Sequence, residues 1–191
     1  QFVGLPYREP TAGAGQAVID ECKPYGINPV LKMAQIAHET ANLQSHIVRD
    51  KNNPSGIGAV NDNAYEGAHT YETLQEGIRA SVAHLMGYLA GDGPWNALSP
   101  RYELVKKAGN AGKVRTLADL EQKWAWSPPE RYNATPANRR YGGMIAAKAN
   151  DLVAFAKSYE PPKEEPPMAG DIPGVPFVAA DSRHYTKGRT V

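Results

Sequence analysis

MAQIAHETANLQS, residues 33–45, sets one carboxylate, Glu39, near the end of a well-marked helical pattern. Just upstream, Asn28 followed by Pro29 sets a favoured N-cap residue ahead of a favoured first helical residue, so a helix is expected to run from there into the quoted stretch. Val30, Met33, Ala34, Ala37 and Ala41 recur at helical spacing and form its apolar stripe. Lys32, Gln35 and Glu39 fall on the opposite face. That places Glu39 on a solvent or cleft surface near the helix C-terminus, with Asn42, Leu43 and Gln44 behind it. The helix macrodipole disfavours negative charge at that end, which suits a carboxyl that must hold a proton and donate it. A solvated surface glutamate is the plainer reading of an arbitrary Glu, so the neighbourhood has to decide.

Working outward, Thr11 is a candidate cap for a helix through Ala17, Val18 and Ile19 that stops near Pro24-Tyr25-Gly26. Residues 50–72, rich in Asn, Gly and Asp, read as loop with at most one short hairpin. Thr73 followed by Glu76 is a capping box. It opens a helix whose stripe is Leu74, Ile78, Val82, Leu85, Met86 and Leu89, ending at Gly91-Asp92-Gly93-Pro94. A shorter helix is expected over Arg101 to Lys107, and another from Thr116 with Leu117, Leu120 and Trp124 inward. The last carries Tyr141, Ile145, Leu152, Phe155 and Tyr159 on one side. The body, residues 1–160, is therefore mainly α. Residues 161–176 hold six prolines among Lys163, Glu164 and Glu165. Such a segment is stiff and polar, so 161–191 reads as a Pro-rich linker and tail leading towards a possible further domain.

The composition of the 191 residues, 41% hydrophobic and 21% charged, is that of an ordinary globular chain. A net charge of +1 gives no global case for a nucleic-acid partner. No apolar run approaches the roughly 20 residues of a membrane helix, so membrane insertion is not expected. The lone Cys22 supports neither a disulfide scaffold nor a zinc knuckle. A start on Gln1 is what a processed or excised piece of a longer protein would have. His38-Glu39 begins like the zinc-protease HExxH, but Asn42 stands where the second ligand belongs, and His46, His69, His84 and His184 show no ligand spacing. No metal or other cofactor is expected. Nucleophile elbows and phosphate loops are absent as motifs.

AQIAHET, then NNPSGIG, then TYETLQEGIRASVAHLMGYL, then KWAWSPPERYNATPANRRYGGMIAAKANDL together resemble the glucosaminidase domain of glycoside hydrolase family 73, found in bacterial autolysins and phage lysins. The likeness runs from about residue 26 to 157. It implies a lysozyme-like, mainly helical fold whose cleft cuts the β-1,4 bond after N-acetylglucosamine in peptidoglycan. By position, Glu39 matches the catalytic acid, Asn53, Gly56 and Ile57 match the loop lining the cleft, and Tyr141 matches the aromatic near the reacting sugar. Tyr141 also shares a stripe with Ile145 and Leu152, so a core role is as good a reading. Gln35 is placed with the substrate-binding residues, as are Tyr65 and Trp126, whose rings could stack on pyranose faces. The second carboxylate departs from the family pattern. The interval from Gly58 to Tyr71 offers only Asp62 and Glu66, of which Glu66 is preferred as general base on a hairpin. Without either, the substrate's own 2-acetamido group or a held water must serve.

The resemblance implies a monomeric enzyme acting on glycan strands of the cell wall, secreted or phage-delivered, tethered to a second lytic or wall-binding unit. The rivals are a muramidase or lytic transglycosylase, which use the same kind of cleft, and a non-catalytic saccharide-binding or phage structural module.

Overall fold

The computed structural model describes residues 13–59, 63–125 and 128–159. Helix α1 (Ala14–Cys22) passes through a 3₁₀ turn at Lys23–Tyr25 into α2 (Pro29–Glu39). Two short helices, α3 (His46–Lys51) and α4 (Ala64–Gly67), lead to the long α5 (Leu74–Ala90). Then come a 3₁₀ turn at Pro94–Leu98, α6 (Tyr102–Lys107), a 3₁₀ turn at Leu117–Leu120, α7 (Pro129–Ala134), a 3₁₀ turn at Ala137–Arg139 and α8 (Tyr141–Ser158). Among the described residues there is no strand, and one isolated bridge joins Glu121 to Ala125. The fold is mainly α. None of these helices is long and apolar enough to cross a membrane.

The start signals act as their chemistry dictates. Asn28 Oδ1 accepts from the N–H groups of Val30 and Leu31 at 2.9 and 3.3 Å, which satisfies two of the donors left open at the start of α2. At α5, Thr73 Oγ1 accepts from the Glu76 N–H while Glu76 Oε2 accepts from the Thr73 N–H, both at 3.2 Å. Gly91, at φ 78°, ends that helix.

Two apolar clusters share α2 and α5. One gathers Ala34, Leu85, Tyr88, Val105, Leu120, Tyr141 and Ile145; the other gathers Ala14, Val18, Cys22, Ile36, Ile78 and Val82. Ala34 and Ile36 lie about 200° apart around α2 at roughly 100° per residue, so this helix is a buried strut with core on two sides. The sector between them is the supposed polar face. It is covered too: Lys32 is 1% and Gln35 3% exposed, and only Glu39, in the final turn, reaches the surface. A single-stripe reading misses this because it assigns one buried side per helix. Gly77 lets α5 come close: a Cβ there would stand 1.8 Å from the Asn52 carbonyl oxygen.

Other expectations need correction. Residues 50–72 hold the end of α3 and the short α4 where a hairpin was allowed. Ala41 is not on the α2 stripe, because the helix ends at Glu39 and Ala41 turns left-handed at φ 50°. Ile19 and Tyr159 are exposed. Trp124 is not helical; the element that opens at Thr116 is a 3₁₀ turn ending at Leu120. Thr11 and residues 160–191 lie outside the described residues.

Candidate active site

Glu39 owes its position to the way α2 stops. The Thr40 hydroxyl donates to the Ile36 carbonyl at 2.7 Å and accepts from the Leu43 N–H at 2.8 Å. Beyond it, Ala41, Asn42 and Leu43 take φ values of 50°, 62° and 65°. Left-handed backbone is tolerated by asparagine but disfavoured by roughly 1–2 kcal/mol at residues such as Ala41 and Leu43, so local preference does not choose this turn. Contacts hold it instead: the Asn42 N–H donates to the Ala37 carbonyl at 2.8 Å, and Lys148 Nζ donates to Asn42 Oδ1 at 2.9 Å from α8. Backbone strain of this kind is a recurrent companion of functional groups.

The Glu39 carboxylate is asymmetric. Tyr141, 7% exposed, donates its hydroxyl proton to Oε1 at 2.5 Å, and the Trp124 indole N–H donates to the same oxygen at 3.0 Å. Oε2 has no hydrogen-bond partner among the described residues. Behind Tyr141 the chain of bonds continues inward. Gln35 Nε2 donates to the Tyr141 oxygen at 3.0 Å, and Lys32 Nζ donates to Gln35 Oε1 at 2.8 Å and to the Ser81 carbonyl at 3.1 Å. Burial pushes the Lys32 ammonium down to about 7, and Cys22 and Glu39 pull weakly the other way. Burial, the Glu39 charge and the hydrogen bond to it raise the Tyr141 phenol far above its ordinary range, so it stays a donor.

These residues open on a groove of about 610 Å³. Its walls include His38, Glu39, Gly56, Ile57, Tyr141 and Trp124, with Tyr88, His84, Arg101 and Lys123 further along. His84 bonds Ser99 Oγ through Nδ1 at 3.0 Å and packs against the rings of Tyr88 and Trp124. Burial, aided by Lys32 and Arg101, lowers its pKa to about 4, so it is neutral and polar at the groove floor. Such a groove, with stacking rings, polar edges and one carboxylate, suits a sugar chain.

Of the residues singled out from sequence, Glu39, Tyr141, Gly56 and Ile57 come together on these walls. Asn53 does not: it is fully buried, donating to the carbonyls of Ile57 and His69 at 2.9 Å and accepting from the Ile57 N–H at 3.0 Å. It shapes the loop and leaves no atom for substrate. Gln35 is likewise beneath the floor, engaged by Lys32 and Tyr141. Tyr65 lies off the groove, packed on His46 and Lys51 with its hydroxyl donating to Asp50 at 3.3 Å. Glu66 is exposed on α4, a helix and not a hairpin, and is not on the walls. Asp62 and Trp126 lie outside the described residues. Sequence reading missed Trp124 as a partner of Glu39, along with His84 and Lys32. The Trp-Ala-Trp alternation from 124 to 126 was the available signal, since two tryptophans on one short polar segment exceed what a core anchor needs.

A carboxylate at a helix end, held at one oxygen and open at the other above a long groove, is an arrangement suited to donating a proton to a glycosidic oxygen. The family model described as mannosyl-glycoprotein endo-beta-N-acetylglucosaminidase, Glucosaminidase, matches residues 15–160, and the chain belongs to that family of glycoside hydrolases acting on peptidoglycan. No curated protein matches it.

Proposed function

We propose that this chain cleaves the β-1,4 bond after N-acetylglucosamine in cell-wall peptidoglycan, with Glu39 as the general acid. The observation that carries this reading is that Glu39 is the one carboxylate among the described residues lining the groove, with Oε1 occupied and Oε2 facing no partner. A proton on Oε2 passes to the departing glycosidic oxygen as the bond to the anomeric carbon breaks. Tyr141 and Trp124 hold Oε1 and so orient the carboxyl for that transfer.

The absence of another carboxylate on the described walls favours a substrate-assisted second half. The 2-acetamido carbonyl oxygen attacks the anomeric carbon as the leaving group departs, giving a cyclic oxazolinium ion. Water then opens it, giving up a proton to Glu39 Oε2, and the anomeric configuration is retained. In this account Tyr88, Trp124 and Ile57 provide apolar faces for the pyranose rings, while His84 and Arg101 provide polar edges. The rest of the reading follows the family's chemistry: residues 1–160 as the catalytic unit, working as a monomer delivered to the wall by secretion or by a phage, and 161–191 as the tether to a second unit.

Mass spectrometry of digested, borohydride-reduced wall tests the bond specificity. Reduced N-acetylglucosamine ends are expected. Reduced muramic ends would identify a muramidase instead, and anhydro-muramic ends a lytic transglycosylase.

A further inference from the structure

Lys32 is a buried amine that the cleavage steps do not use. Ammonium groups are rarely buried without a carboxylate in contact, and Lys32 is 1% exposed with only the Gln35 and Ser81 oxygens as bonded partners. As an ammonium it has three N–H donors: the Gln35 and Ser81 oxygens take two, and the Trp124 ring, 5.2 Å from Nζ, faces the charge on a further side. The other titratable groups that act on it are Cys22 and Glu39, and it in turn acts on His84.

We infer that Lys32 is a positioning residue that fixes the direction of the hydrogen-bond relay Lys32–Gln35–Tyr141–Glu39 and thereby keeps the catalytic proton on Glu39 Oε2. The inference rests on the reading of Glu39 as the acid. Its logic is one of donors and acceptors. The Lys32 ammonium has no lone pair and can only donate, so Gln35 must turn Oε1 towards it and Nε2 towards Tyr141. The Tyr141 oxygen then accepts, and its one proton must go to Glu39 Oε1. Trp124, donor only, points at the same oxygen. A proton placed on Oε1 would face two donors, and the buried Tyr141 hydroxyl would lose its acceptor, at about 1–3 kcal/mol. Oε2, the open oxygen, is where the proton is left.

If Gln35 were free to flip, its carbonyl oxygen would face Tyr141. The phenol could then donate to Gln35 and accept from a protonated Oε1, which stores the proton beneath the groove and away from the substrate. Lys32 vetoes that flip.

Gln35→Glu tests this in the full-length protein, because it is nearly isosteric and still accepts from Lys32, yet it also accepts from Tyr141 and so reverses the relay. The expected result is a kcat on wall glycan lower by about tenfold or more, with KM within about twofold, and a melting temperature no lower than wild type. Tyr141→Phe added to this variant should cost nothing further. Should Gln35→Glu not fold, Lys32→Met carries the same test: its loss in kcat should vanish in a Tyr141→Phe background, as expected of residues acting through one unit. Wild-type kcat in Gln35→Glu, or an undiminished Lys32→Met loss in the Tyr141→Phe background, overturns the inference. Its failure is separable from that of the general-acid reading. A nuclear Overhauser contact between the Gln35 Nε2 protons and the Tyr141 ring is expected in wild type whether or not the protein cleaves glycan, and its absence also overturns the inference.

Discussion

Trp124 Nε1 donates to Glu39 Oε1 at 3.0 Å across a separation of 85 positions in the chain. The indole comes from a tight turn after the Leu117–Leu120 3₁₀ segment, where Gln122 takes φ 63° and the Glu121–Ala125 bridge closes the loop. Two elements distant in sequence thus meet on one oxygen. Trp124→Phe keeps most of the ring contact with His84 and Tyr88 and removes the N–H. A hydrogen bond to a charged group is worth roughly 1.5–3 kcal/mol, so kcat is expected to fall by about tenfold or more with little change in melting temperature. Steady-state kinetics on wall glycan reads this, and an unchanged kcat would show that the bond does not orient the acid.

Glu66 is exposed and off the groove. Glu66→Gln is therefore expected to keep activity within about twofold, as for surface changes that alter energies by at most about 0.5 kcal/mol. The anomer formed first, followed by NMR, should be the β form of a retaining route. An inactive Glu66→Gln, or an initial α product, would return the second carboxylate to the mechanism.

Asn53 bridges the Ile57 and His69 carbonyls from a fully buried site. Asn53→Ala leaves those groups unpaired, and the loss is expected to reach about 3 kcal/mol, or roughly 6–12 °C in melting temperature. Calorimetry measures it. A variant with unchanged stability and a raised KM would instead make Asn53 a substrate contact.

Stability should also follow the buried bases. Lys32 is lowered to about 7 from 10.5, so between those values the unfolded chain holds a proton the folded chain lacks, and stability rises with pH. His84, lowered to about 4 from 6.5, acts in the same sense over its own window: its contribution is present above 6.5 and lost as pH falls towards 4. Cys22, raised to about 11 from 9.0, acts oppositely, because above pH 9 the folded chain retains the proton and stability declines. A melting temperature at about pH 8.5 higher than at about pH 6.5 by at least about 3 °C is expected, with most of that rise gone in Lys32→Met. A fall over the same interval would mean that Lys32 is not held as described.

The frame was largely legible in the sequence because its signals are local. Asn28-Pro29 and the Thr73–Glu76 box act within a few residues, and the α5 stripe repeats over a long helix. The site was legible only in part. Glu39 and Tyr141 could be named from a likeness to a family, but the burial of Lys32 and Gln35 depends on a second core packing against the far side of α2, which one helix's periodicity does not encode. Asn53 is a related case: a polar residue in a loop looks free until the carbonyls that fold back onto it are placed. Trp124 lies beyond the 3₁₀ turn that ends at Leu120, so helical spacing carries no information on its indole direction. The setting of Glu66 was not legible either, because four residues, Ala64–Gly67, form a turn of helix in a stretch whose composition speaks for loop.

If Glu39 supplies the proton, Glu39→Gln must abolish cleavage, since the amide keeps the size of the carboxyl and cannot donate as an acid. Release of soluble reducing ends from purified wall by wild type and variant, at matched concentration and with matched wall binding, is the measurement. The rate is expected to fall by at least about 10²-fold with binding retained; a variant that clears wall at near the wild-type rate would mean that the proton comes from another group.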